Sequence, residues 1–273
     1  MSKRAPCATI KAMRQVYLLA NTRIPGVEES RHQIERFLKD QGVTIEPEPS
    51  ASTELIVTLG GDGTLLKGVH AARSDSTLIF GLKFGQVGFL TNPIDNLEER
   101  LEKILSGRYR VSRRMLLEAR VEREGKVILN DFCLNEAFLN RSGIRIVEIS
   151  VRQNKEELIR VRADAMIFAT PTGSTAHALA AGGPVISPQE HLILLIPVCP
   201  YATAARPVVL PASSQLEVTA SATCILALDG QREGKVSPGD KLVVRKAERQ
   251  ANLVFDEKTG FFQRLNEKFG WPL

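Results

Sequence analysis

A chain of 273 residues, 43% hydrophobic and 25% charged, has material for a sizeable core in one large or two modest domains. Its formal net charge of +5 comes from 36 basic residues interspersed with 31 acidic ones, without a long basic block and with only three Tyr and one Trp for base stacking. That composition argues against a nucleic-acid partner and fits an anionic small substrate. No apolar run approaches the ~20 residues of a membrane span. Cys7, Cys133, Cys199 and Cys224 are scattered, with no C-x-x-C pair, so neither a disulfide framework nor a zinc site is expected and a cytoplasmic location fits. Lys3, Arg4, Lys11, Arg14 and Arg23 precede the first acidic residue, Glu28. The first strand begins near Gln15, which leaves little room for a targeting segment. A disordered tail is expected there, or Met13 as an alternative start.

Residues 16–20 read as a buried strand. Residues 27–41 carry helical spacing, with Val27, Ile34, Phe37 and Leu38 on one face, Glu35 and Lys39 as an i,i+4 pair, and Gly42 as a stop. A second strand at 55–59 runs into Gly60-Gly61-Asp62-Gly63-Thr64, and a helix follows to about Ala72. A third strand covers 77–81. The order β-α-β-α-β predicts an α/β domain with a parallel, Rossmann-like sheet, which binds ligands beyond the carboxyl ends of its strands. The turn with Gly60, Gly61, Gly63 and Thr64 lies at such an end, and its N–H groups with the following helix start suit phosphate. A carboxylate repels phosphate, so Asp62 points to a different job, either orienting or deprotonating a hydroxyl or helping a metal. A second glycine loop, residues 81–90, carries Lys83 on the same rim. Ile94, Leu97, Leu101, Ile104 and Leu105 then form a helical stripe that ends at Gly107.

After Gly107 the texture changes to strands and turns. Residues 109–122, 127 onward, 144–152 and 158–169 are strand-like, with hairpin turns at 124–126 and 153–156. This predicts an all-β, sandwich-like second domain over 108–249, following an α/β domain over 1–107 on which the tail 250–273 packs back. Three polar clusters interrupt the strands. Asn135 and Glu136 are adjacent, so strict alternation would turn one of them inward, where a carboxylate is costly unless paired. Arg162-Ala163-Asp164 leads into Thr170-Pro171-Thr172-Gly173-Ser174-Thr175-Ala176-His177-Ala178-Leu179-Ala180, read as a hydroxyl-rich turn with a helix N-cap and a small-residue helix beside which a flat ring fits. Leu228-Asp229-Gly230-Gln231 reads as an ordinary Asp-Gly turn.

In this order and spacing, these stretches resemble the NAD kinase family over nearly the whole chain after the first dozen residues. The Asn-Glu pair and the Thr-Pro-Thr-Gly-Ser-Thr-Ala stretch carry most of the specificity. Gly85-Gln86-Val87-Gly88-Phe89-Leu90-Thr91, Gly182-Gly183-Pro184 and Arg206-Pro207 add to it. The resemblance implies transfer of a phosphoryl group from ATP or another polyphosphate donor to the 2′-hydroxyl of the adenosine ribose of NAD. It implies Mg²⁺ or another divalent metal, with ligands unknown. It further implies a site in a cleft between two domains, partly shared between subunits of a homodimer or homotetramer. By the same resemblance Asp62 is the proton acceptor, beside Gly63. Asn135, Glu136, Asp164, Thr175, Ala176, His177, Ala178, Leu179, Ala180 and Gln231 hold the dinucleotide, Lys67 and Arg162 match positions that are often basic in the family, and Arg145 lies near another contacting position.

Several residues depart from the family pattern: Lys83 for Asn, His177 for Tyr, Ala180 for Ser, and Tyr201-Ala202-Thr203-Ala204-Ala205 before Arg206-Pro207. They leave NAD against NADH open. A lipid kinase of the diacylglycerol or sphingosine type shares the Gly-Gly-Asp-Gly turn but has no use for the later stretches. A non-catalytic dinucleotide-binding regulator is a second alternative, against which the intact Asp62 and Glu136 argue.

Overall fold

The computed structural model describes residues 13–85, 88–255, 260–270 and 272. The expectations for Lys3, Arg4, Cys7 and Lys11 of the leading stretch, and for Gln86 and Val87 of the second glycine loop, fall outside them. The chain divides into two compact units: the described residues of Met1–Ser112 with Asn252–Leu273, and Arg113–Ala251.

The first unit runs β1 (Gln15–Ala20), α1 (Val27–Asp40), β2 (Thr44–Glu46), β3 (Leu55–Gly60), α2 (Asp62–Ala71), β4 (Leu78–Lys83), the two-residue β5 (Asn92–Pro93) and α3 (Leu97–Leu105). All its pairings are parallel, in the order β2-β1-β3-β4, with β5 beside the end of β4. Central β3 is buried at all six positions, as a strand covered on both faces must be. Val27, Ile34 and Leu38 of α1 and Leu97, Leu101 and Ile104 of α3 enter one core with β1, β3 and β4. Gly42, at φ 71°, lets the chain turn off α1. The i,i+4 partner of Glu35 is Arg31, at 2.8 Å, rather than Lys39.

The second unit begins within β6 (Arg110–Arg123) and continues through β7 (Lys126–Cys133), β8 (Glu136–Arg141), β9 (Val147–Gln153), β10 (Glu156–Ala163), β11 (Ala165–Ala169), a 3₁₀ turn (Gly173–Thr175) and α4 (His177–Ala180). There follow β12 (Leu192–Val198), β13 (Val208–Pro211), β14 (Gln215–Ala220), β15 (Cys224–Leu228), β16 (Arg232–Val236) and β17 (Lys241–Phe255). One sheet pairs β10 with β9, β9 with β14, β14 with β17, and β6 with both β17 and β7. The other is antiparallel, in the order β13-β12-β11-β8-β15-β16. Leu117, Val121, Leu216, Val218 and Val244 of the first sheet meet Leu139, Phe168, Leu195 and Leu226 of the second in one sandwich core. In β11, Met166 and Phe168 enter that core while Ile167 and Ala169 face Ala178 of α4 on the opposite side. Two covered faces explain why this strand is an unbroken apolar run.

Two expectations need correction. The strand read over 158–169 is two strands in different sheets, broken at Asp164. The Asp164 N–H donates to Val198 O and its carbonyl accepts Arg141 N–H, so the chain crosses from β10 to β11 without orphaned backbone groups. The small-residue helix is only four residues long and has no side-chain N-cap. It stops where Gly182, at φ 83°, donates to Leu179 O, and a Cβ on Gly183 would overlap Ala178 O and Ile196.

β17 leaves the second unit at Ala251. Its residues Asn252 and Leu253 pair in parallel with Leu78 and Ile79 of β4 in the first. α5 (Phe261–Phe269) follows in that unit. Among the described residues no helix is long and apolar enough to cross a membrane.

Candidate active site

In the first unit, the order β2-β1-β3-β4 reverses direction at β1/β3, and ligands of open parallel sheets bind beyond the strand ends at such a point. Gly60, Gly61 and Asp62 lie there, at the end of β3 and the start of α2. A Cβ on Gly60 would overlap Thr64 Oγ1, whereas the space beside Gly61 and Gly63 is open. Of the turn's N–H groups, that of Thr64 already donates to Gly61 O at 2.9 Å, so it closes the helix turn rather than facing a ligand.

The Asp62 carboxylate is held on both oxygens. Phe89 N–H donates to Oδ2 at 3.0 Å, and Leu90 N–H and the Thr91 hydroxyl donate to Oδ1 at 3.3 and 3.0 Å. Lys268 Nζ of α5 lies 3.8 Å from Oδ2. A carboxylate offers about four acceptor directions, so room remains for one more donor. The glycine at 88 is required by this packing, since a Cβ there would overlap Asp62 Oδ1 and Thr91 Oγ1. Lys67 is exposed on α2. Lys83, Gly88, Asn92 and Asp95 help line a cavity of about 190 Å³ next to this segment.

In the second unit, Leu134 and Asn135 form the bend between β7 and β8, and Glu136 opens β8. The bend is pinned by Asp229. Its carboxylate accepts the N–H groups of Leu134 and Asn135 at 2.7 Å each, and of Glu136 at 3.2 Å. Asp229 is 6% exposed, at φ 53° beside Gly230 at φ 60°, so the Asp-Gly turn aims a buried carboxylate at three backbone donors. Sequence reasoning gave Asp229 no such part; the only signal was an acid in a turn flanked by apolar strand residues. Opposite it, Thr170 N–H donates to Asn135 O at 2.9 Å and its hydroxyl donates to Leu134 O. A Cβ on Gly173 would overlap Asn135 O, which accounts for the glycine in Thr-Pro-Thr-Gly. Gln231 completes the cluster, with Nε2 donating to Asp229 O at 3.4 Å.

Of the adjacent polar pair, Glu136 is the one turned inward, 9% exposed, while Asn135 is half-buried. Glu136 Oε2 is buried without a hydrogen-bond partner among the described residues. Burial first, and the nearby Asp229 second, push the Glu136 carboxyl up to about 8. The folded chain therefore keeps a proton that the unfolded chain releases near 4.5. Stability contributed by this group falls as pH rises from about 4.5 to about 8 and is level above that. Glu136→Gln is expected to flatten that slope. In urea unfolding at pH 6 and pH 8.5, the wild type should lose on the order of 2 kcal/mol more than the variant. Parallel pH dependences would mean that Glu136 is ionised throughout.

The remaining expected contacts are more dispersed. Asp164 Oδ1 pairs with Arg141 Nε at 2.7 Å, a partner the sequence did not signal. The exposed Arg162 guanidinium lies 5.6 Å from the centre of the Tyr201 ring. Arg145 is exposed in the loop before β9, next to Ile144, which is 94% exposed. Thr175 is buried, and its hydroxyl donates to Thr172 O at 3.3 Å. Along 176–180 the backbone presents an exposed His177, its ring 4.8 Å from that of Phe138, and an exposed Ala180, while Ala176 and Leu179 are half-buried and Ala178 is buried.

A parallel sheet with a restrained carboxylate at its switch point suits a phosphorylated ligand that carries a hydroxyl, and the β unit adds a pinned Asn-Glu bend. Residues 11–109 match the ATP-NAD kinase N-terminal domain and residues 134–255 the ATP-NAD kinase C-terminal domain. The NAD kinase of Desulforamulus reducens is 36% identical over 264 residues, covering 94% of this chain and 91% of that one. That of Geobacter metallireducens is 36% identical over 241 residues, covering 86% and 85%. A crystal structure of an NAD kinase from Archaeoglobus fulgidus in complex with ATP is 31% identical with a TM-score of 0.74, covering 94% of this chain and 98% of that one. Yeast NADH kinase complexed with NADH shares the fold, with a TM-score of 0.84 at 24% identity over 96% and 89% of the two chains. The chain belongs to the NAD kinase family.

Proposed function

We propose that the chain transfers the terminal phosphoryl group of ATP, or of polyphosphate, to the 2′-hydroxyl of the adenosine ribose of NAD, giving NADP. Asp62 accepts a hydrogen bond from that hydroxyl and takes its proton as the new P–O bond forms and the bond to the leaving phosphate breaks. The rest of the rate comes from positioning and charge neutralisation. Asn135, Glu136, Asp164, Gln231 and residues 175–180 hold the dinucleotide, with Arg145 and Arg162 toward its phosphates. The turn at Gly60–Gly63 and Lys67 face the donor. Mg²⁺ is usually held by one or two carboxylates plus substrate phosphates, and the divalent ion enters this reading as the metal complex of the donor. The observation that carries this reading is the Asp62 carboxylate, fixed by three donors with one acceptor direction left. The unpartnered Glu136 Oε2 supports the dinucleotide side, because an orphaned buried polar atom costs about 1–3 kcal/mol until a hydrogen-bond partner reaches it.

A cytoplasmic location is supported by free thiols at Cys133, Cys199 and Cys224. The exposed Ile144 beside Arg145 supports a homo-oligomer in which a second copy covers that loop, a state that light scattering reads directly. The test of function is NADP formation from NAD and from NADH with ATP, GTP and polyphosphate, with diacylglycerol and sphingosine as competing acceptors. NADP from NAD with at least one donor is expected. Phosphorylation of a lipid alone would sink the reading.

A further inference from the structure

Asp62 is oriented only as well as the segment that donates to it, and that segment is irregular. Gly88 lies outside any strand, and Phe89 and Leu90 sit in a bend before β5. An irregular stretch placed against a reacting group needs an anchor of its own. α5 supplies one. Arg264, 5% exposed, donates from a single Nη1 to Gly88 O at 3.1 Å and to Thr91 O at 2.6 Å. Those two carbonyls bracket the three groups that hold the Asp62 carboxylate. The guanidinium is backed by the Phe255 ring, 4.9 Å from its centre. Phe261 and Phe269 of α5 pack on Phe89 with ring centres 6.3 and 5.4 Å apart. Lys268 Nζ lies 4.6 Å above the Phe89 ring. A buried Arg is costly unless its donors are used, and here two bonds go to the backbone of one short segment.

We infer that Arg264 is a positioning residue for the phosphoryl-transfer step, acting on Asp62 through the Gly88–Thr91 segment. The inference rests on the reading of Asp62 as the base. Arg264 donates to the backbone of the segment that holds Asp62, so its loss leaves the carboxylate present but less well aimed. A displacement of about 1 Å at a reacting group lowers turnover by up to roughly 100-fold.

The test is a double-mutant cycle of Arg264→Met and Asp62→Asn, with circular dichroism melts on every variant. Arg264→Met should lower kcat by about 10- to 100-fold. KM for NAD should stay within about twofold, because a positioning loss acts in the transition state rather than on ground-state binding. Arg264→Lys should restore part of the loss. In the Asp62→Asn background, Arg264→Met should change the residual turnover by less than about twofold, since there is no base left to aim. Equal losses in both backgrounds, or a rise in KM that accounts for the whole effect, would overturn the inference. Should the Met variant melt below the assay temperature, Arg264→Lys takes its place in the cycle: a smaller kcat loss that appears with Asp62 and vanishes in the Asp62→Asn background supports the inference, and equal effects in both backgrounds overturn it. If Asp62→Asn loses turnover while Arg264→Met does not, the inference alone fails. If Asp62→Asn turns over normally, the base assignment fails and takes the inference with it.

Discussion

Asp62→Asn is expected to keep dinucleotide affinity while losing turnover by about 10³-fold, within the range that removal of a general base produces. The amide has nearly the shape of the carboxylate but cannot take a proton. It also meets its surroundings badly. One amide position can still accept from Leu90 N–H and the Thr91 hydroxyl, but the other then turns N–H protons toward the Phe89 N–H. A donor facing a donor at this half-buried site costs up to about 1–3 kcal/mol, so a lower melting temperature accompanies the lost activity. The dinucleotide-holding residues are on other elements, so equilibrium binding of NAD should stay within a few-fold by calorimetry. Turnover within tenfold of wild type would remove Asp62 from the role of base.

The second large effect is expected at a residue that touches no substrate in this reading. Asp229→Asn should weaken dinucleotide binding and lower stability together. The carboxylate accepts three backbone N–H groups in a dry turn. An amide supplies only one accepting atom, leaving at least one of those donors facing another donor. Charge-assisted bonds of this kind are worth about 1.5–3 kcal/mol each, so a total loss of about 2–4 kcal/mol is expected in chemical denaturation. The same change releases the Asn135-Glu136 bend. KM for NAD should therefore rise by tenfold or more, while turnover at saturating NAD falls less, because Asp62 lies on another element. A variant that is destabilised but binds NAD normally would show that Asp229 serves the fold alone.

Legibility in the sequence followed the kind of force involved. The parallel sheet was legible because β1, β3 and β4 are buried runs separated by helical periodicity, and burial leaves a strong mark on residue type. The break at Asp164 was not legible. Arg162-Ala163-Asp164-Ala165-Met166 reads as continuous strand, and what divides it is hydrogen bonding to Arg141 and Val198, distant in sequence. The polar positions were visible as interruptions of apolar runs, and Asn135, Glu136 and Gln231 do gather round one turn. Their supports were hidden. Asp229 was visible only as a turn residue. Arg264 and Lys268 sit in a helix that looks like any amphipathic tail, and nothing local reports that they reach a segment more than a hundred residues earlier.

The passage of β17 from one unit into the other bears on how the protein is made. The turn with Asp62 leaves the ribosome about 200 residues before Arg264 does. At typical synthesis rates that gap is roughly 10–40 s. When Ala251 has been added, near the end of that gap, the nascent chain carries the Gly-Gly-Asp-Gly turn and every residue of the second unit, but neither the strand segment that flanks β4 nor α5, whose bonds fix Gly88 and Thr91. The first unit to be started is thus the last to be completed. A chain that ends at Ala251 lacks Asn252 and Leu253, so the edge of β4 with which they pair is left open.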